Sequence, residues 1–302
     1  ASGAGDICLA VGVDKLYAED KAKSFAVFDG AWDVHDAPAQ MARLMALAPD
    51  ITPPPGFEEP GKRSVFMDIY ASLARLHMKT FGTTQRQLAA VAAKNHMHST
   101  RNSLAQFQYP LTIEEALAAR PVSWPLTLPM CAPISDGAAA AIVCNAQGLK
   151  RLREARAVRL YASVLRTATD RPADRYDRHL CHLAALEAYE RAGVGPQDMS
   201  LAEVHDATAF AEIQQTEALG FCAFGEGGPM AESGATSLGG RIPINVSGGL
   251  LSRGHPIGAT GLAQVHEMVI QLRGQAGARQ VDGARFAIAE NGGGFNGVEA
   301  VS

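Results

Sequence analysis

The 302-residue chain has no apolar stretch approaching the roughly 20 residues that cross a bilayer. Its opening, ASGAGDICLAVG, puts no basic leader before an apolar segment, so neither a membrane span nor a signal peptide is expected. Charge of one sign is also missing. Lys and Arg total 27 against 31 Asp and Glu, a net charge of −4, which leaves no electrostatic footprint for nucleic acid. The short basic piece Lys150, Arg151 and Arg153 reads as a solvated helix face. Cysteines are few: 8, 131, 144, 181 and 222, an odd number without CxxC spacing. That argues against a zinc cluster or disulfide framework and for reduced thiols in a cytoplasmic protein. There is no G-x-x-x-x-G-K-[ST] phosphate loop, and no helix pattern follows the glycines of GGGFNG at 292–297. What is present is 47% hydrophobic and 19% charged residues, with a mean hydropathy of −0.02. This is the composition of a soluble globular chain able to bury a sizeable core, as one large or two medium domains.

Ile7–Val11 is a short apolar run ending in Gly12, and Ala138–Cys144 is another; both read as buried strands. Between them, the proline-rich stretch at 53–60 is expected to be a surface loop. Residues 64–80 carry helical apolar spacing through Phe66, Ile69, Tyr70, Leu73 and Leu76. Thr84 with Gln87, and Thr112 with Glu115, make capping boxes for two further helices. The mainly helical block at about 29–120 therefore reads as an insertion within a first α/β unit, residues 1–150. The second unit, 151–302, begins with strand-like Val158–Leu165. Its helix at 178–192 stops at Gly193 with Pro196 beyond, and strand-like Ser200–Val204 leads into a helix at 208–219. Strand and helix alternate, which implies an α/β architecture with a substantially parallel sheet.

The stretch Ser247-Gly248-Gly249 through Gly254-His255-Pro256 to Gly258-Ala259-Thr260-Gly261 sets one imidazole between glycine-rich turns at the mouth of a helix. Leu262, Val265, Val269 and Leu272 form the apolar stripe of that helix. Flanking glycines carry no Cβ and let a ligand approach His255 closely. The helix N-terminus favours a neutral imidazole and nearby negative charge. A tight turn with an incidental His is the alternative, which the glycines on both sides and Pro256 disfavour.

NVSGGLLSRGHPIGATGLAQ (245–264) resembles the C-terminal signature of thiolases, especially the thiolase part of sterol carrier protein x. KNHMHSTRN (94–102), CAPISDGAAAAIV (131–143), EVHDATAFAEI (203–213) and ENGGGFNG (290–297) agree in order along nearly the whole chain. The resemblance implies a layered αβαβα thiolase fold of two similar halves and a homodimer. It implies coenzyme A or acyl-CoA as substrate, with no permanently bound cofactor. The family's nucleophilic Cys opens a helix upstream of the segment matching GDICLAVGVDKL, before Ala1, and the last strand begins after Gly297. The chain is therefore expected to be truncated at both ends.

Making or breaking a carbon–carbon bond beside a thioester needs a thiolate, a base and donors for the oxyanions. By resemblance, His255 activates the thiolate and lines an oxyanion hole. His205 falls at the His position of the sterol carrier protein x group and orients a water or donates at the enolate oxygen; a structural His after a strand is the alternative. Asp206 is expected to orient that turn or cap the next helix. Glu290 stands where the family has Cys or His, and either serves as base or merely holds Asn291 or a loop. The N–H of Gly292 matches an oxyanion donor, and Ser247 and Gly248 match substrate-binding positions. Cys8 and Cys144 look like small core residues and Cys181 like a structural one. Cys131 is the single thiol that could be reactive. Lys94, His96, His98 and Arg101 either meet a coenzyme A phosphate or form a solvated helix end, and His266 reads as a boundary residue.

Three functions follow as expectations. The first is a coenzyme A-dependent acyltransferase that cleaves or condenses 3-oxoacyl-CoA in fatty acid or sterol side-chain metabolism. The second, motivated by Glu290, is a thiolase-like retro-aldol lyase acting on steroid side-chain thioesters beside a small partner subunit. The third is a non-catalytic acyl-CoA-binding member or fragment.

Overall fold

Capping side chains open most of the helices of this chain, seen in a computed structural model that describes residues 5–31, 35–61, 63–152, 156–167, 169, 171–294 and 298–302. The first half runs β1 (Ile7–Asp14), α1 (Lys21–Ala26), α2 (Ala37–Met45), α3 (Val65–Phe81), α4 (Gln85–Ser99), α5 (Ile113–Ala118), β2 (Pro121–Ser123), β3 (Leu126–Thr127), β4 (Gly137–Cys144) and α6 (Ala146–Arg151). The second runs β5 (Val164–Thr167), α7 (Leu180–Ala192), β6 (Leu201–Glu203), α8 (Ala209–Ala218), α9 (Gly227–Glu232), α10 (Ile257–Leu272), β7 (Ala287–Gly293) and β8 (Val298–Val301). Both capping boxes form: Thr84 N–H donates to Gln87 Oε1 at 3.0 Å and Thr112 N–H to Glu115 Oε2 at 2.8 Å. Gly193, in the left-handed region at φ 69°, ends α7 as its sequence predicts.

The architecture is α/β and layered. β1 and β4 pair antiparallel, and four strands form a second sheet in the order β5-β8-β7-β6. α10 packs against β1 and β4 on one side and against β7 and β6 on the other, while α7 covers β5 and β8. Where β1 crosses the start of α10, a Cβ on Gly12 would lie 2.0 Å from the Gly258 carbonyl oxygen, so only glycine permits that approach. The main core joins the helical block to the second half: Leu88 and Val91 of α4 meet Phe210 and Ile213 of α8, all buried.

Four expectations change. The sheet is not substantially parallel: of the pairings in the four-stranded sheet only β6–β7 is parallel. β1 and β4 are not buried strands, because β4 is the only strand paired with β1 among the described residues and one face of the ribbon is uncovered. Leu9, Val11 and Val13 are 63%, 62% and 67% exposed, and Cys8 is exposed with them. The strand expected over 158–165 is regular only from Val164. On α10 the fully buried side chains are largely polar, Gln264, Glu267 and Gln271 among them, and the apolar stripe is half-buried.

The KNHMHSTRN segment is neither a phosphate site nor a solvated end. Lys94 is buried, paired with Glu212 at 2.8 Å and donating to the Ile244 carbonyl at 2.6 Å. His96 packs on Phe107 and Tyr109. His98 lies between the Asn245 carbonyl, 3.0 Å from Nδ1, and the Leu238 N–H, which donates to Nε2 at 2.9 Å. Of its four basic residues, only Arg101 is exposed.

Removing Lys94 leaves the Glu212 charge buried without its cation. Lys94→Met is expected to cost about 3–5 kcal/mol in a urea unfolding curve; a loss below about 1 kcal/mol would contradict a buried Lys94–Glu212 ion pair. A second outcome concerns pH. Burial pushes His98 down to about 3, so folded His98 stays neutral where the unfolded histidine takes up a proton. Its contribution is intact above about pH 6.5 and is lost as pH falls toward 3, on the order of 2 kcal/mol by pH 5. Glu203, raised to about 7 by burial, pulls the opposite way, so the comparison has to be differential. His98→Gln is expected to flatten the fall in stability between pH 7 and 5 relative to wild type, read from urea midpoints. Parallel curves would contradict it.

Candidate active site

Two turns bring the two histidines singled out in the sequence together. After β6 the chain bends at Val204, His205 and Asp206, and the Thr208 side chain, not Asp206, caps α8 by accepting from Ala211 N–H. The other turn begins at Asn245, whose φ of 56° is left-handed, and continues through a π-helical turn at Gly249–Arg253 to His255. The His205 and His255 rings stand edge to face with centroids 4.9 Å apart.

Asp206 ties the turns to each other. Its carboxylate accepts from Leu250 N–H at 2.7 Å and Leu251 N–H at 3.4 Å and from Asn95 Nδ2 at 2.8 Å. A Cβ on Gly249 would sit 2.2 Å from Asp206 Oδ2 at φ 60°, which reserves that place for glycine. Ser247 is buried and donates its N–H and hydroxyl to Glu203, at 3.0 and 2.6 Å. Gly248 packs on Ser99. Both positions are thus enclosed within the turn.

His255 is held from three sides. Its N–H donates to Ser135 Oγ at 2.9 Å, and it bridges Ile134 in parallel pairing. Its Nδ1 lies 2.8 Å from Thr260 Oγ1. The Thr260 hydroxyl donates to the Pro256 carbonyl at 3.0 Å, so the threonine oxygen accepts from Nδ1–H and the lone pair sits on Nε2. Burial, with His205 and Arg253 nearby, holds His255 well below the usual imidazole range. His205 is pushed down to about 4 by burial and then by Arg253. Both rings are therefore neutral near pH 7.

Glu290 is fully buried on β7, and its Oε2 accepts the backbone N–H of His205 at 2.9 Å. The neighbouring Asn291 donates from Nδ2 to His205 Nδ1 at 3.1 Å. Gly292 lies opposite Glu299 in the β7–β8 ladder. A cleft of about 690 Å³ opens beside the site, lined by Ser135, Gly254 and Pro256 around His255 and by His266 of α10. His266 is thus a wall of the cleft.

Neither Cys131 nor Cys222 supplies an activated nucleophile. Cys131 is buried, donates to the Thr127 carbonyl at 3.5 Å and is pushed up to about 12 by burial. Burial likewise pushes Cys222 up to about 12, and Cys181 is fully buried. Sequence reasoning missed Ser135, Thr260, Gln264 and, beyond its place next to Glu290, Asn291. No sequence pattern marked them, because each acts through a partner that the fold supplies.

Comparison with known proteins gives the family. Residues 170–302 match the family described as thiolase C-terminal domain-like. An acetyl-CoA acetyltransferase of Methanothermobacter thermautotrophicus is 44% identical over 239 residues, 78% of this chain and 62% of the relative. Sterol carrier protein 2 of Gallus gallus is 36% identical over 299 residues, 96% of this chain and 51% of the relative. The chain thus spans little more than half the length of these relatives. Among solved structures, the Ltp2-ChsH2(DUF35) aldolase matches with a TM-score of 0.72 at 21% identity, over 98% of this chain and 72% of that one; at that identity the likeness speaks to fold alone. By family match, by relatives along nearly its whole length and by its layered fold, the chain belongs to the thiolase superfamily.

Proposed function

We propose that the protein containing this chain is a thiolase-type acyltransferase acting on coenzyme A thioesters, by thiolysis of 3-oxoacyl-CoA or the reverse Claisen condensation. The observation that carries the reading is the facing pair of neutral histidines, His255 presenting an Nε2 lone pair 4.9 Å, ring to ring, from His205. In thiolysis, a cysteine upstream of Ala1 gives its proton to His255 Nε2, and its thiolate adds to the C3 carbonyl. The C2–C3 bond then breaks, the electron pair leaves as the acetyl-CoA enolate, and C2 takes the proton that His255 Nε2 had accepted. Free coenzyme A finally displaces the acyl group from the cysteine. His205 donates at a developing oxyanion, where a neutral buried donor acts without reorganising. A role in fatty acid or sterol side-chain metabolism and a homodimer come with this reading through the family resemblance, and a cytoplasmic location through the unpaired cysteines.

Within it, Glu290 is a positioning residue rather than the base, because its carboxylate is engaged by the His205 backbone. Ser247 and Gly248 shape the turn, Ser247 through Glu203 and Gly248 against Ser99.

The test is an assay of the full-length protein for loss of acetoacetyl-CoA and longer 3-oxoacyl-CoA thioesters in the presence of coenzyme A. Turnover is expected, with His255→Ala lowering kcat about 10²–10⁴-fold, the ordinary range for a lost general base. Absence of acyl transfer with every thioester would falsify the proposal. Glu290→Gln keeps an oxygen that can accept the His205 N–H, so activity is expected to stay within about tenfold of wild type. A loss approaching that of His255→Ala would return the role of base to Glu290.

A further inference from the structure

Asn291 and Gln264 form a short relay whose direction can be read from its far end. The Glu290 carbonyl oxygen can only accept, and it lies 2.8 Å from an amide end of Gln264, which must therefore be Nε2. That leaves Gln264 Oε1 as acceptor toward Asn291 at 3.0 Å, so the Asn291 end is its Nδ2. The same Nδ2 meets His205 Nδ1 at 3.1 Å. An NH₂ group has two protons and no acceptor, and here one goes to Gln264 and the other to His205. His205 Nδ1 must carry the lone pair, and its proton must sit on Nε2. The Thr260 contact leaves His255 in the opposite state, with Nδ1–H and a lone pair on Nε2.

We infer that Asn291, oriented by Gln264, is a positioning residue that locks His205 as an Nε2–H donor, so that the facing imidazoles divide into one donor, His205, and one acceptor, His255. The role in catalysis rests on the proposed acyl transfer; the tautomers themselves do not. Two consecutive residues of β7 thus set His205 completely, Glu290 through the backbone N–H and Asn291 through the ring. Gln264 is fully buried on α10, the helix that begins two residues after His255, so one element ties down both rings. Neutral imidazoles interconvert tautomers readily in water, and a lock is needed to hold an unlike pair at this distance.

Nitrogen-15 NMR of histidine-labelled protein reads the tautomers without any substrate. His205 is expected to show a protonated-type shift at Nε2 and an unprotonated-type shift at Nδ1, with His255 reversed. A wild-type protein carrying the His205 proton on Nδ1 overturns the inference outright. In Asn291→Asp a carboxylate accepts where an amide donated, so the His205 proton is expected to move to Nδ1. The acid limb of kcat/KM should then rise by about 1–3 pH units, the shift that a close carboxylate produces. An Asn291→Asp protein with Nε2–H retained and an unmoved limb contradicts the lock. Should Asn291→Asp fold poorly, Gln264→Leu gives the second test, with mixed His205 tautomers expected and a single Nε2–H species contrary. A correct tautomer pattern in a protein without acyl transfer would overturn the proposed function and leave the lock standing.

Discussion

The buried carboxylate of Asp206 is the interaction on which the site depends. A glycine-rich turn carries backbone N–H groups that must be paired once water is excluded, and Asp206 takes those of Leu250 and Leu251. A bare carboxylate at that depth is costly, and burial together with Glu212 raises its pKa well above the ordinary value. Asn95 lessens the cost by donating to both acids from a single amide, at 2.8 and 2.9 Å. Lys94 compensates Glu212. The helical block thus reaches between the end of β6 and the turn before α10 and holds the two histidine-bearing segments in one frame. The π-helical turn and the left-handed Asn245 are the local distortions that this frame sustains.

How much of this was legible in the sequence depended on range. Helix starts were plain because a capping box closes within three residues, as at Thr84 and Thr112. The end of α7 was plain because Gly193 alone supplies the left-handed residue. Charge in KNHMHSTRN pointed to the surface, whereas its partners Ile244, Asn245 and Glu212 lie more than 100 positions along the chain and convert the segment to buried scaffold. The apolar run of β1 pointed to burial, but burial of a strand is decided by what lies over it, not by its own composition. His255 was legible from its glycine-flanked turn at a helix mouth, and His205 through family resemblance. Thr260, Gln264 and Asn291 were not, because each acts only through a partner that the fold supplies.

Residue type and residue role separate most clearly at Glu290. A carboxylate where the family carries Cys or His invites the reading of a base. Its Oε2 accepts the backbone N–H of His205 at the start of the next turn, however, and in the proposed reaction that contact assigns it to positioning. The neighbour's plain amide has the larger chemical consequence, since its two protons fix which imidazole nitrogen of His205 is left to donate. Two like histidines at 4.9 Å would otherwise be interchangeable, and both are kept neutral by burial. What distinguishes them is the company each Nδ1 keeps, a hydroxyl that accepts at His255 and an amide that donates at His205. In the proposed reaction that difference separates the group that takes the thiol proton from the group that meets the oxyanion. It is set by neutral hydrogen bonds, without any charged residue touching either ring nitrogen that these bonds occupy. A site built this way keeps both imidazoles uncharged at rest, which suits a chemistry that generates its own negative charge.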